Sequence, residues 1–388
     1  MGCEMIKFIH CADLHLDSAF VMGDALKAAK RRNELRETFK KLIDEARTFG
    51  AHFVFIAGDL FDRRYVTKNT LELLSQLFSA LPECRFVITP GNHDFYSPDS
   101  VWEKTAFPDN VYIFKSEKLE TLTFEGVGED GDKVNISGYA FTSQCLEHSP
   151  LAGEALDILG DDAVNILCAH AYIFNKNTTY CPITVDQIAR SPYDYVALGH
   201  VHNGGELFCE NGTYYGYSGS LEAQSFHDLG ERGAFFVRLD KSLGRAACES
   251  EFVPLASRIY AVERINVTGA LEAADVLRTV SEKAEKFGYD QRTILRVVLT
   301  GEVAPSVRIP IESVRSVFGD LFDIEVVDQT LPLFDCDYLA SDLSIRGALF
   351  RELLPKLRSE DERERAVASK ALRYGLEALS GGEVVDFE

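Results

Sequence analysis

Five short segments each present Asp, Asn or His where an apolar run stops: D-L-H (Asp13, His15), G-D-L-F-D (Asp59, Asp62), G-N-H-D (Asn92, His93), A-H (His170) and G-H-V-H (His200, His202). Such a mixture of oxygen and nitrogen donors suits a pair of divalent cations. Carboxylate and amide oxygens favour manganese or magnesium, and imidazole favours manganese, iron or zinc. Two such ions roughly 3.5 to 4 Å apart polarise a phosphate, generate hydroxide at neutral pH and hold attacking and leaving oxygens in line. One carboxylate must bridge them, and Asp59 is the candidate. It follows the apolar run Phe53 to Ala57, and Gly58 lets the backbone turn sharply beside a ligand. Each segment alone is a weak signal. Together and in order, each falls at the expected C-terminal end of a strand, which is where open α/β sheets place their ligands.

The elements that must position these residues alternate. Strands are expected at 6–11, 53–57 and 85–89, with helices at 31–48 and 67–80 between them. Further strands follow near 111–114, 119–124, 134–141, 164–169 and 194–199, and closely spaced runs at 205–218 and 234–239 read as hairpins. This predicts an α/β fold, a two-sheet sandwich flanked by helices with the candidate ligands at its loop end. Pro254 to Arg258 marks a boundary, so residues 1–255 form the first domain. Beyond it, strand 259–267, helix 271–287, strand 292–300, helix 310–319 and strand 322–328 make a small α/β domain over 256–335. Residues 336–388 read as a helical tail, with Leu343, Gly347, Phe350, Leu354 and Leu357, then Val367, Ala371, Tyr374 and Leu379, as two amphipathic stripes.

The motif order resembles the calcineurin-like metallophosphoesterase superfamily. The opening F-I-H-C-A-D-L-H-L-D is similar to the SbcD type of DNA-repair exonuclease, especially its bacterial, YhaO-like branch. The resemblance implies that Asp13, His15, Asp59 and His202 hold one metal and Asp59, Asn92, His170 and His200 the other, with manganese foremost and magnesium, iron or zinc as alternatives. It leaves His93 outside the metal shell, facing the phosphate as the catalytic acid. Archaeal nucleases of this group carry His where this chain has Asp62. An Asp there can hydrogen-bond the His93 imidazole, fix its tautomer and favour its charged form. Arg63 and Arg64 differ from the Arg-Gly of protein phosphatases. The resemblance further implies DNA as substrate, a second domain that caps the site, a homodimer, and a coiled-coil ATPase of the SbcC or YhaN type docking on the tail. The expected activity is therefore a metal-dependent DNA exonuclease. A phosphatase or cyclic-nucleotide phosphodiesterase is the alternative within the superfamily, and a non-catalytic scaffold of a DNA-binding ATPase the alternative outside enzymology.

Composition bounds these readings. At 388 residues the chain exceeds one core. No apolar run reaches membrane-span length, so no membrane partner is expected. The nine cysteines are scattered without a C-x-x-C pair, which reads as mostly buried thiols of a reducing, cytoplasmic compartment. The first four residues read as an extension before Met5. The formal net charge of −21 argues against tight nonspecific DNA binding by this chain alone. Among the remaining histidines, His10 reads as a core or supporting group, His52 and His148 as surface residues, and His227 as a candidate substrate contact.

Overall fold

Alternating side chains on each strand fill two different cores, and that alternation builds the layers. The computed structural model describes residues 5–20, 22, 24–62, 66–128, 131–152, 159–160, 162–241, 246–333 and 335–379. They fall into two compact units divided between Ile259 and Tyr260. Arg63, Arg64 and the N-terminal extension lie outside the described residues.

In the first unit the elements run β1 (Ile6–Cys11), α1 (Ala25–Phe49), β2 (Phe53–Ile56), α2 (Lys68–Ser79), β3 (Arg85–Ile88), α3 (Val101–Lys104) and β4 (Val111–Ile113). They continue as β5 (Glu120–Val127), β6 (Asp132–Gly138), β7 (Val164–His170), α4 (Val185–Ala189), β8 (Tyr195–Gly199), β9 (Glu206–Glu210), β10 (Thr213–Tyr217), β11 (Gly233–Asp240) and β12 (Ala247–Pro254). Two six-stranded sheets result, in the orders β12-β11-β1-β2-β3-β4 and β5-β6-β7-β8-β10-β9. Ile9 and Cys11 of β1 pack with Leu35, Phe39 and Leu42 of α1, whereas Ile6 and Phe8 pack with Ile136, Ile166 and Tyr195 of the other sheet. On that second sheet Leu167 and Val196 turn outward against Ile188 of α4. The order is therefore helix, sheet, sheet, helix, as expected for strands buried on both faces.

Helix α1 begins six residues before the expected start. Asp24 caps it, its side chain accepting the Leu26 N–H at 2.7 Å. The first turn is solvated, with Leu26 81% exposed, so no apolar periodicity marks it. Asp17 ties α1 to α2: it accepts from Arg36, from the Thr70 hydroxyl (2.9 Å) and from the Thr67 N–H (2.7 Å). The β9–β10 hairpin turns on Asn211 and Gly212, both at positive φ, the usual signature of a two-residue hairpin turn.

The second unit runs β13 (Ile259–Asn266), α5 (Ala273–Ala284), β14 (Thr293–Thr300), β15 (Glu302–Val303), α6 (Ile311–Val317), β16 (Asp323–Asp328) and β17 (Leu331–Pro332). It ends with α7 (Cys336–Ser341), α8 (Ile345–Leu357) and α9 (Glu362–Leu379). Its three-stranded sheet has the order β13-β14-β16, and one core joins Val276 and Val280 of α5 to Leu295, Val297 and Val314.

The tail differs from its expected stripes. Among the described residues three helices stand where two were expected. Leu339, Phe350, Leu372 and Leu376 form their buried cluster, and Arg373 donates to Val307 O at 3.3 Å. Val367 of the expected stripe is 63% exposed and Leu343 96%; the buried face of α9 is instead Ala368, Leu372 and Leu376. Of the eight described cysteines, Cys11, Cys84, Cys168 and Cys181 are buried while Cys145, Cys209 and Cys336 are exposed, so burial is less general than expected. No described helix is long and apolar enough to cross a membrane.

Candidate metal centre

Strands β1, β2 and β3 are mutually parallel, as are β7 and β8, and the segments following them meet. Backbone pairing continues past the strand ends: the Asp13 N–H donates to Gly58 O (3.1 Å) and the His15 N–H to Asp59 O (3.0 Å). Asp13, His15, Asp59 and His200 all adopt positive φ, at 52°, 46°, 51° and 102°. Such a conformation costs an L residue about 1–2 kcal/mol, and strain of this kind concentrates at functional sites.

All seven expected ligands converge. His15 Nε2 lies 3.1 Å from His202 Nε2 and 4.0 Å from Asp59 Oδ2. Asp59 Oδ2 is also 3.3 Å from His170 Nε2. Asn92 Oδ1 lies 2.9 Å from His170 Nε2 and 3.2 Å from His200 Nδ1. Asp13 falls within 4.8 Å of the ligand atoms of His15 and His202, and of those of Asp59 and His170. Its carboxylate also accepts the His200 N–H at 3.1 and 3.0 Å. Asp59 thus sits between a His15/His202 side and an Asn92/His170/His200 side.

The donor set fits divalent cations. His170 Nδ1 donates to Ala57 O at 2.9 Å, and His202 Nδ1 to Asp228 Oδ1 at 3.1 Å. In the neutral imidazoles both Nε2 lone pairs then point inward, where they meet other acceptors. Acceptors this close repel unless positive charge lies among them. Burial pulls the His170 imidazole down, but Asp59 more than reverses this and holds it at about 9. Burial and His170 push His200 down to about 3, which keeps it neutral as a ligand must be. Burial raises the Asp59 carboxyl, and the His170 and His15 imidazoles outweigh it, holding Asp59 ionised.

Two glycines make the close approaches. A Cβ on Gly58, at φ +95°, would fall 2.0 Å from His170 Nδ1, and one on Gly91 would fall 2.2 Å from Asp59 Oδ1.

His93 lies beside His15, their ring centroids 4.9 Å apart, and with His15 and Asp62 it offers ligand atoms within 4.8 Å of one another. Its side chain is 45% exposed, and its Nδ1 lies 3.1 Å from Asp62 Oδ1. Its backbone N–H donates to Asp59 Oδ1 at 2.9 Å. The hydrogen bond to Asp62 pushes His93 up to about 9, while the His15 and His93 imidazoles hold the Asp62 carboxyl well below its usual range. His93 is therefore a charged donor at neutral pH in the metal-free chain.

His227 is exposed and makes only backbone hydrogen bonds, its N–H to Ser225 Oγ (3.2 Å) and its carbonyl from Asn203 Nδ2 (3.3 Å). Its neighbour Asp228 lies in the centre, as the acceptor for His202. Sequence reasoning missed Asp228 and also Asp94, the last residue of G-N-H-D. Buried Asp94 accepts the Gly91 N–H (2.7 Å) and the Phe61 N–H (3.1 Å), which staples the Asp59 and Asn92 segments together. Its place inside a motif was the available signal; Asp228 had none beyond adjacency to His227. His10 is buried between Tyr195 Oη (3.1 Å) and Leu198 O (3.0 Å). Its pKa is pushed down by burial to about 4, so it is a neutral core group. His148 is exposed, while His52 is half-buried and accepts the Lys7 N–H at 3.2 Å.

The family model described as calcineurin-like phosphoesterase matches residues 6–204. The uncharacterized metallophosphoesterase YhaO of Bacillus subtilis is 28% identical over 303 residues, 76% of this chain and 72% of that protein. The DNA double-strand break repair protein Mre11 of Methanopyrus kandleri is 27% identical over 269 residues, 64% of this chain and 56% of that protein. Among solved structures, a dimetal phosphatase from Danio rerio aligns over 64% of this chain and 96% of its own, at 11% identity and a TM-score of 0.42. The chain belongs to the calcineurin-like phosphoesterases, as a phosphoester hydrolase of the SbcD/YhaO type with a candidate two-metal centre.

Proposed function

We propose that the chain is a two-metal DNA nuclease of repair, an exonuclease foremost, that acts as a homodimer in the cytoplasm with a coiled-coil ATPase of the SbcC or YhaN type. The observation that carries this reading is the similarity to the Mre11 protein. That protein is 27% identical over a stretch covering 64% of this chain, a length the first unit, Met1–Ile259, can hold. The second α/β unit, which a minimal phosphatase does not need, supports a role in selecting DNA.

Asp13, His15, Asp59 and His202 would hold one ion, and Asp59, Asn92, His170 and His200 the other, with manganese the first candidate. When bound, the ions polarise the phosphoester and supply a nucleophile at neutral pH. The chain's own residues do the rest. Asp62 keeps the His93 imidazole protonated and oriented through the 3.1 Å contact to Nδ1, which leaves Nε2–H to donate to the departing oxygen. Asp228 and Ala57 fix the tautomers of His202 and His170, and Asp94 holds the two ligand segments in register.

Incubating the purified protein with end-labelled duplex DNA, single-stranded DNA and a phosphomonoester, with manganese or with chelator, tests the reading. Manganese-dependent shortening of DNA is expected. Hydrolysis of the monoester with intact DNA would replace the nuclease reading by a phosphatase one. For the ATPase partner, Leu343→Glu and Val367→Glu place charge on the exposed tail residues. They should abolish co-purification with a co-expressed ATPase while leaving the melting temperature unchanged, and retained co-purification would remove the docking role of this surface.

A further inference from the structure

Beside the Asn92/His170/His200 side of the centre lies a run of aromatic rings that the phosphate chemistry does not use. Tyr180 lies against the His200 ring at 4.8 Å between centroids, tilted 35°. Tyr172 meets His200 edge-on at 5.7 Å and Phe174 at 5.5 Å. Phe174 in turn stacks on Tyr217 at 5.8 Å and 28°. Phe174 is 67% exposed and Tyr180 38%, although both belong to a chain whose other phenylalanines mostly sit in its cores.

The segment carrying these rings is built rather than loose. The Tyr172 N–H donates to Tyr180 O at 3.0 Å and to Cys181 O at 3.2 Å, while the Cys181 N–H donates to Leu146 O at 2.7 Å. The Ile173 N–H donates to Tyr217 Oη (3.1 Å), whose hydroxyl donates to Ala171 O (2.8 Å). Asn175 Oδ1 closes the tip by accepting the Asn177 N–H at 2.9 Å. A phenylalanine held this firmly in water is an unspent hydrophobic surface, and it stands two ring contacts from a candidate metal ligand. The segment 171–182 also contains no acidic residue and one cation, Lys176, within a chain of net charge −21. The segment is therefore aromatic and free of acidic residues where it lies beside the candidate ligand His200.

We infer that Phe174 and Tyr180 form a stacking platform for an unpaired nucleobase next to the scissile phosphate, so the centre engages single-stranded or frayed nucleic acid rather than intact duplex. The inference rests on the nuclease reading above and deepens it. Every base offers a π-face, so such a platform is tolerant of sequence while it excludes paired bases. Stacking on a protein ring changes affinity by roughly 5- to 150-fold per base.

The test measures binding of the full chain to a short fluorescent single-stranded oligonucleotide and to the same backbone with every base removed, in calcium so that binding is read separately from turnover. The wild-type protein is expected to prefer the base-bearing strand by at least roughly 5-fold. Phe174→Ala should lose most of that preference while binding the abasic strand like the wild type, and Phe174→Tyr should restore it. An unchanged melting temperature confirms that the exposed site tolerates the change. Equal binding of both strands by the wild type, or an unaltered preference in Phe174→Ala, overturns the platform while leaving nuclease activity to be judged by the DNA-shortening assay. A Phe174→Ala defect confined to aryl phosphomonoesters would assign the rings to a different ligand and overturn the nucleobase. Failure of the wild type to bind either strand overturns the platform, and the DNA-shortening assay alone then judges the nuclease reading.

Discussion

Replacing Gly58 by alanine tests whether one missing Cβ builds half of the metal centre. The new carbon would lie 2.0 Å from His170 Nδ1 and 2.4 Å from its Cγ, so the imidazole must retreat by more than an ångström to reach ordinary contact. Retreat breaks the 2.9 Å bond from Nδ1 to Ala57 O and draws Nε2 away from Asn92 and Asp59. Alanine at positive φ adds about 1–2 kcal/mol, and a buried donor or acceptor left unsatisfied about 1–3 kcal/mol. Together these amount to about 2–5 kcal/mol, or a fall of roughly 5–20 °C in melting temperature for a unit of this size. Gly50→Ala is the control, since Gly50 has φ +69° and nothing within 4 Å of its Cβ position; it should show the backbone cost alone. Metal analysis after dialysis against manganese is the decisive assay. Gly58→Ala should retain one ion where Gly50→Ala retains two. Two ions bound at wild-type affinity in Gly58→Ala would refute the placement of His170 as a ligand positioned by this contact.

Asp228→Asn removes the anionic acceptor behind His202 and should weaken the ion on the His15/His202 side by about 10- to 100-fold, read by metal titration; unchanged affinity would make Asp228 a loop residue only. His93→Ala should keep both ions and lower kcat by about 10²- to 10⁴-fold, and Asp62→Asn should give a smaller loss of the same kind; loss of an ion from His93→Ala would move His93 into the metal shell. The third concerns acid stability. Burial raises the Glu34 carboxyl, but Arg258 and Arg31 outweigh it and hold Glu34 below its ordinary value, through contacts of 3.0 Å and 2.7 Å. A depressed carboxylate stabilises the fold above its unfolded pKa of about 4.3 and loses that contribution as pH falls. Urea midpoints of metal-free wild type and Glu34→Gln should therefore differ at pH 7 and converge from about pH 5 downward; a constant gap would show that the charge plays no part.

The ligand residues were legible in the chain because each ligand segment lies at or just past the end of a buried strand, and a strand buried on both faces reads as a continuous apolar run. Phe53 to Ala57 before Asp59 and Tyr195 to Leu198 before His200 announce both the element and its end. The layering was legible for the same reason, since Ile9 and Phe8 could only be buried together if each face of β1 met a different neighbour. Other features depend on residues far apart in sequence and left no local mark. Asp228 is 26 residues from the His202 it orients, and nothing in S-F-H-D distinguishes it from His227, which the fold turns to solvent. The start of α1 rests on a single cap at Asp24 with no apolar repeat behind it. In the tail the buried face of α9 was decided by packing against Phe350 and Leu339 rather than by periodicity, because a short amphipathic helix offers several adjacent stripes and only the partner surface selects one. The aromatic rings around His200 show the same division. Their types are written between Ala171 and Cys181, but their alignment beside a metal ligand exists only because β7 and β8 are adjacent and parallel.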